Sequence, residues 1–174
     1  MSWDIVAHPV AFLSLVALAA CGPIVVKCPP DDTPVVLPRN CAQGFEVFAA
    51  DKTAKFKVDL EYMKVRVGAD AELGAKVAQL GDSMSQFTIM YRSAWVGACN
   101  ARRAAPCDPT TRAKTLEIER ALVALIAEAA DALTKARNLA DEAGGAAPAD
   151  PGRRQAIKSC IEKARSTLSA PCAF

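Results

Sequence analysis

Cysteine and histidine are the residues of this 174-residue chain whose types bear most directly on chemistry: there are seven of the first and one of the second. Beyond Cys21 stand Cys28, Cys41, Cys99, Cys107, Cys160 and Cys172, an even set that suits disulfide formation in an oxidising compartment. No two are spaced as C-x-x-C, the pattern zinc sites use, so no metal is expected. Three bridges are expected instead. Many connectivities are open to six cysteines; short separations favour Cys99–Cys107 and, after it, Cys28–Cys41 and Cys160–Cys172.

His8 precedes all of these, so from Cys21 onward the chain has no histidine. That removes Ser-His-Asp and Cys-His triads, histidine acid–base chemistry and histidine metal ligation together. No G-K-[ST] sequence is present, and Gly68, Gly74 and Gly81 do not form a phosphate-cradling loop. Glu117 with Glu119, and Asp141 with Glu142, are carboxylate pairs at spacings that a helix points in different directions; they read as solvated faces. No catalytic residue and no cofactor is expected, and the chain is not read as an enzyme. Two clusters remain. Arg102, Arg103 and Arg112 flank the Cys99–Cys107 interval as a basic tip able to contact anions, or simply as a charged loop. Phe87, Met90, Tyr91 and Trp95 read as core rather than as a ligand pocket.

The N-terminus carries the sharpest signal. Val10 to Ala20 is an apolar run ending in Leu18-Ala19-Ala20-Cys21. These four residues resemble the lipobox of bacterial lipoproteins, and the resemblance covers about the first 21 residues. It implies that residues 1–20 are a signal peptide and that the Cys21 thiol takes a diacylglyceryl group. It also implies that the new N-terminus is acylated, by palmitate or a similar chain, and that the protein is held in the cell envelope. Gly22 and Pro23 follow in place of an Asp-containing retention signal, which implies the outer membrane, on its periplasmic or its surface face.

Without residues 1–20, which carry Asp4 and neither Lys nor Arg, 21 basic residues face 18 acidic ones, a net charge of +3. That balance predicts no nucleic-acid partner and no strongly polybasic surface. The remaining length suits one domain. Residues 21–40, with Pro23, Pro29, Pro30, Pro34 and Pro38, read as an extended tether, and residues 41–174 as a single α-rich domain.

Within it, Phe56, Val58, Leu60 and Tyr62 alternate with charged residues and then slip phase at Met63, Val65 and Val67. This predicts a strand or hairpin in about 45–73, paired with Phe45 to Ala49, with Ala69 to Leu73 or with another subunit. A helical phasing through Phe56, Leu60, Met63 and Val67 is also present. The helices are expected at about 77–99, 109–143 and 151–169. The first is marked by Leu80, Met84, Phe87, Tyr91, Ala94 and Ala98; the second runs from an Asp108-Pro109 start to Gly144-Gly145. The third starts at Asp150-Pro151 and carries Ile157, Ile161, Ala164 and Leu168. The expected fold class is mainly α with a small β element: an antiparallel three-helix bundle preceded by a short strand or hairpin and stapled by disulfides.

These features predict an outer-membrane-anchored lipoprotein that acts as a non-catalytic interaction or assembly subunit, bound to an envelope protein or to copies of itself. Two other readings stay open: a ring- or pore-forming lipoprotein that donates the Phe56–Val67 strand to a barrel, and a carrier of an apolar ligand.

Overall fold

The computed structural model describes residues 23–142 and 150–169. Strands β1 (Ile24–Cys28) and β2 (Thr33–Leu37) form an antiparallel hairpin, followed by helices α1 (Cys41–Val67), α2 (Ala71–Ala104), α3 (Pro109–Asp141) and α4 (Pro151–Leu168). The protein is therefore mainly helical, with a small β element and disulfide staples, as the sequence predicts, but the described residues form four helices rather than three.

The correction lies between residues 45 and 73. No strand is present there: residues 41–67 are one helix, and the expected strand partners Phe45–Ala49 and Ala69–Leu73 fall in α1 and around its junction with α2. Alternation arose because α1 is apolar on two opposite sides. At 100° per residue, Phe56 and Leu60 point to one side while Val58 points almost directly away. Phe56, Leu60, Met63 and Val67 are all buried and Val58 is exposed, so the helical phasing is the one the core uses. The barrel-donating strand is thus absent, since its residues have their backbone groups satisfied within a helix.

The Pro-rich segment is extended as expected, but it is paired rather than a free tether. Val25, Val26, Val35 and Val36 supply the β-branched residues that favour strands. Asp32, in the left-handed region at φ 51°, turns the chain between them. On one face Val35 and Leu37 are buried against the bundle; on the other Val25 and Val36, direct cross-strand partners, are exposed.

Helix starts follow local capping chemistry. The Asn40 side chain accepts from Gln43 N, Asp70 from Glu72 N and Leu73 N, Asp108 from Thr111 N, and Asp150 from Gly152 N and Arg153 N. Pro109 and Pro151 occupy first-turn positions, where the missing N–H costs nothing. The Asp70 cap starts α2 six residues earlier than the apolar stripe alone implied, and α2 continues to Ala104. Its stripe turns from the half-buried Ala94 and Ala98 to Trp95 and Cys99. Expected Gly144-Gly145 lie outside the described residues.

α1, α2 and α3 pack in antiparallel succession, and α4 lies against α2 and α3. Ala129, Ala132, Ala136 and Ala140 on α3 and Ala164 on α4 are buried; small side chains at these places let helix axes approach closely. The larger core side chains, Phe45, Phe56, Phe87, Tyr91 and Leu122 among them, fill the space between α1, α2 and α3.

Candidate interaction surface

The two disulfides gather the hairpin, the start of α1, the end of α2 and the start of α3 at one end of the bundle. Cys28 bonds Cys107 and Cys41 bonds Cys99, with Cα separations of 5.2 and 5.9 Å. The expected local pairs Cys99–Cys107 and Cys28–Cys41 are not formed. Cys99 sits in the helical part of α2 and faces the core, where the first residue of α1 meets it; Cys107 lies beyond the helix end, beside β1. Cys160 is half-buried on α4 and forms no disulfide among the described residues. Its expected partner Cys172, and the lipidation candidate Cys21, lie outside them.

Arg102, Arg103 and Arg112 sit at this same end. Arg103 and Arg112 are exposed; Arg102 is half-buried with Nε out of contact with any hydrogen-bond acceptor. Arg112 closes one side of a recess at the hairpin turn, together with Pro29, Asp31, Pro106 and the α3 cap Asp108. Hydrogen bonds from Thr111 hold the Asp108 carboxyl below its ordinary range, so it enters the recess as an anion already committed to the helix.

Phe87, Tyr91 and Trp95 are buried, as expected for core, whereas Met90 points outward and is 42% exposed. The Trp95 indole N–H donates to Glu119 Oε1 at 3.1 Å, and its ring stacks on Phe48 at 6.3 Å between centroids. Phe48, Leu116, Val123 and Ala124 then form a shallow apolar recess between α1 and α3, rimmed by Glu119 and Arg120. The remaining carboxylates singled out in the sequence lie on helix surfaces. Asp141 accepts from the Tyr62 hydroxyl and lies 3.7 Å from Arg66 and 3.8 Å from Arg137; Glu142 pairs with Arg153; Glu117 is exposed.

A polar network between α1 and α3 was not legible in the sequence. Asp59, 3% exposed, accepts from Thr134 Oγ1 and from Arg137, each at 2.8 Å. The Arg137 guanidinium in turn lies 4.4 Å over the Tyr62 ring. Every acceptor in the set has a donor, and the hydrogen bond to Asp141 raises the Tyr62 phenol above its ordinary pKa. This arrangement locks the register of the two helices and leaves no free acid–base pair. The spacing that carries it spans about 75 residues, which no local pattern reveals.

The feature that stands out as unused is the outer side of α1. Val47, Ala54, Val58 and Val65 fall within about 40° of one another around the helix and opposite its core side. All four are exposed, Val65 to 87%. The line they make is about 27 Å long. The exposed acids Asp51 and Glu61 stand about 20° beyond its two edges, with Lys57 and Lys64 further out on one side and Lys55 on the other, so it is a narrow apolar seam closely bordered by charge. No helix among the described residues is long and apolar enough to cross a membrane. No family model, no curated protein and no solved structure matches this chain.

Proposed function

We propose that the protein is a non-catalytic interaction or assembly subunit of the bacterial envelope, held at the outer membrane by lipid on Cys21. The observation that carries the interaction role is the apolar seam Val47–Ala54–Val58–Val65, opposite the core side of α1 and exposed among the described residues. A helix that spends valines on its solvent side loses solubility without gaining core, a cost that a docking partner offsets. Two long-range disulfides support the oxidising compartment that the lipobox-like run implies. The partner is an envelope protein or a second copy of the chain, with contact made by a helix laid along the seam.

The anchor is tested by the intact mass of the protein extracted from membranes. The expected chain starts at Cys21 and carries three acyl chains; an unprocessed chain refutes the lipoprotein reading. The docking role is tested with a photo-cross-linking side chain at position 58 and, as control, at position 128 on α3. A discrete adduct from position 58 alone is expected, and its loss in Val47→Glu or Val65→Glu. Equal adduct formation at both positions refutes it.

A further inference from the structure

The geometry points to the hairpin end of the bundle as a face that lies flat on an anionic lipid surface. This inference rests on the proposed lipid at Cys21 for its distance argument and on the fold alone for its chemistry.

The distance is short. Only Gly22 and Pro23 separate Cys21 from the first residue of β1, so Ile24 stands no more than about 10 Å from the acylated residue. A domain tethered so closely has one end facing the headgroups, and that end is the hairpin. Its outward face consists of Val25 and Val36, 60% and 57% exposed, with Lys27 and Pro34 beside them in the next cross-strand pair. A paired strand face with two valines and a flanking lysine can bury its apolar atoms at the level of the headgroups while the ammonium reaches phosphate.

The charges at this end are of the sign such a surface needs. Lys27, Arg39, Arg102, Arg103 and Arg112 come from β1, the β2–α1 link, α2 and α3; the acids among them are Asp31, Asp32 and the cap Asp108. The ion pairs of the described residues lie along the helices, from Arg92–Glu46 toward the far end, and none uses these five cations. Residues dispersed over 85 positions of sequence, in a chain of nearly balanced charge, are thus gathered by the two disulfides into one unpaired basic end. Each such cation near an anionic bilayer raises partition about fivefold. Set against the three acids, the five cations leave a net charge of +2 at this end, worth about 25-fold, so the patch orients an anchored domain rather than anchoring it.

Amide hydrogen exchange on the acylated full-length product, in vesicles of phosphatidylcholine with phosphatidylglycerol and of phosphatidylcholine alone, tests this. Residues 24–37 and 102–112 are expected to exchange several-fold more slowly in the anionic vesicles only, with α4 unchanged. Arg103→Gln with Arg112→Gln removes two exposed cations and is expected to lower partition of a Cys21→Ser chain about 25-fold. Val25→Ser with Val36→Ser abolishes the slowing while leaving both disulfides formed. Equal exchange in the two compositions overturns the inference. If the intact mass shows no acyl chains, the anchor reading fails by itself. The unacylated chain added to the same vesicles then decides the docking: slowed exchange of the hairpin upholds it, and unchanged exchange overturns it.

Discussion

Replacing Cys28 and Cys107 together by serine tests the connection between disulfide topology and stability. The two bridges are nested, since the 79-residue interval of Cys28–Cys107 encloses the 58-residue interval of Cys41–Cys99. Alone, either closes a long loop and stabilises the fold by about 4 kcal/mol through the unfolded chain. Once Cys41–Cys99 is closed, Cys28–Cys107 closes only the remainder, roughly 20 residues, and adds about 3 kcal/mol. The Cys28→Ser/Cys107→Ser variant should therefore lose about 3 kcal/mol in urea denaturation without reductant, and Cys41→Ser/Cys99→Ser a similar amount. Removal of all four should cost about 7 kcal/mol, most of the stability of an ordinary domain. Tryptic digestion without reduction checks the premise, because Arg39, Arg102 and Arg103 separate the four cysteines. Peptide 28–39 should be joined to 104–112, and 40–52 to 93–102. Recovery of 93–102 joined to 104–112, or losses under about 1 kcal/mol in both double variants, refutes the reasoning.

Four further outcomes are expected. Gly97, with open space where a Cβ would stand, should accept Gly97→Ala with a gain of about 0.5–1 kcal/mol in urea unfolding. Gly44→Ala should forfeit that gain, because its Cβ would come within 3.0 Å of Pro38 and 3.2 Å of Trp95. Asp59→Ala removes the acceptor of Thr134 and Arg137 from a buried position and should cost about 1–3 kcal/mol, measured the same way. Acid should weaken the fold. Lys158, Lys76, Lys135 and the Thr111 donors lower the folded-state pKa values of Glu72, Glu162, Asp131 and Asp108 below 4.5 or 3.8. Their contribution is complete above those values and is lost as pH falls below them. A urea midpoint unchanged from pH 5 down to pH 2.5 would contradict this.

Local capping chemistry and helical periodicity were legible in the sequence because they act over three or four residues. Asp108-Pro109 and Asp150-Pro151 started α3 and α4 where expected, and Ile157, Ile161, Ala164 and Leu168 are all buried. α1 was misread for a physical reason. A helix with apolar residues on two opposite sides places Phe56, Val58, Leu60 and Tyr62 at every second position, and in one dimension that is indistinguishable from a strand. Its burial, and the exposure that makes Val58 and Val65 a candidate docking seam, follow only once α2 and α3 cover one of the two sides.

The order of residues alone implies the class of the protein: mainly helical, cysteine-bridged, without histidine chemistry beyond its first residues and with a basic cluster around Cys107. Tertiary structure alone decided which cysteines meet, which side of α1 faces water, and that Asp59 finds Thr134 and Arg137 across two helices. Short-range spacing governs caps and turns, whereas bridges and interhelical networks depend on chain ends and helix faces brought together from 58 to 79 residues apart. That juxtaposition is set by the packing of the whole core, and no window of sequence contains it.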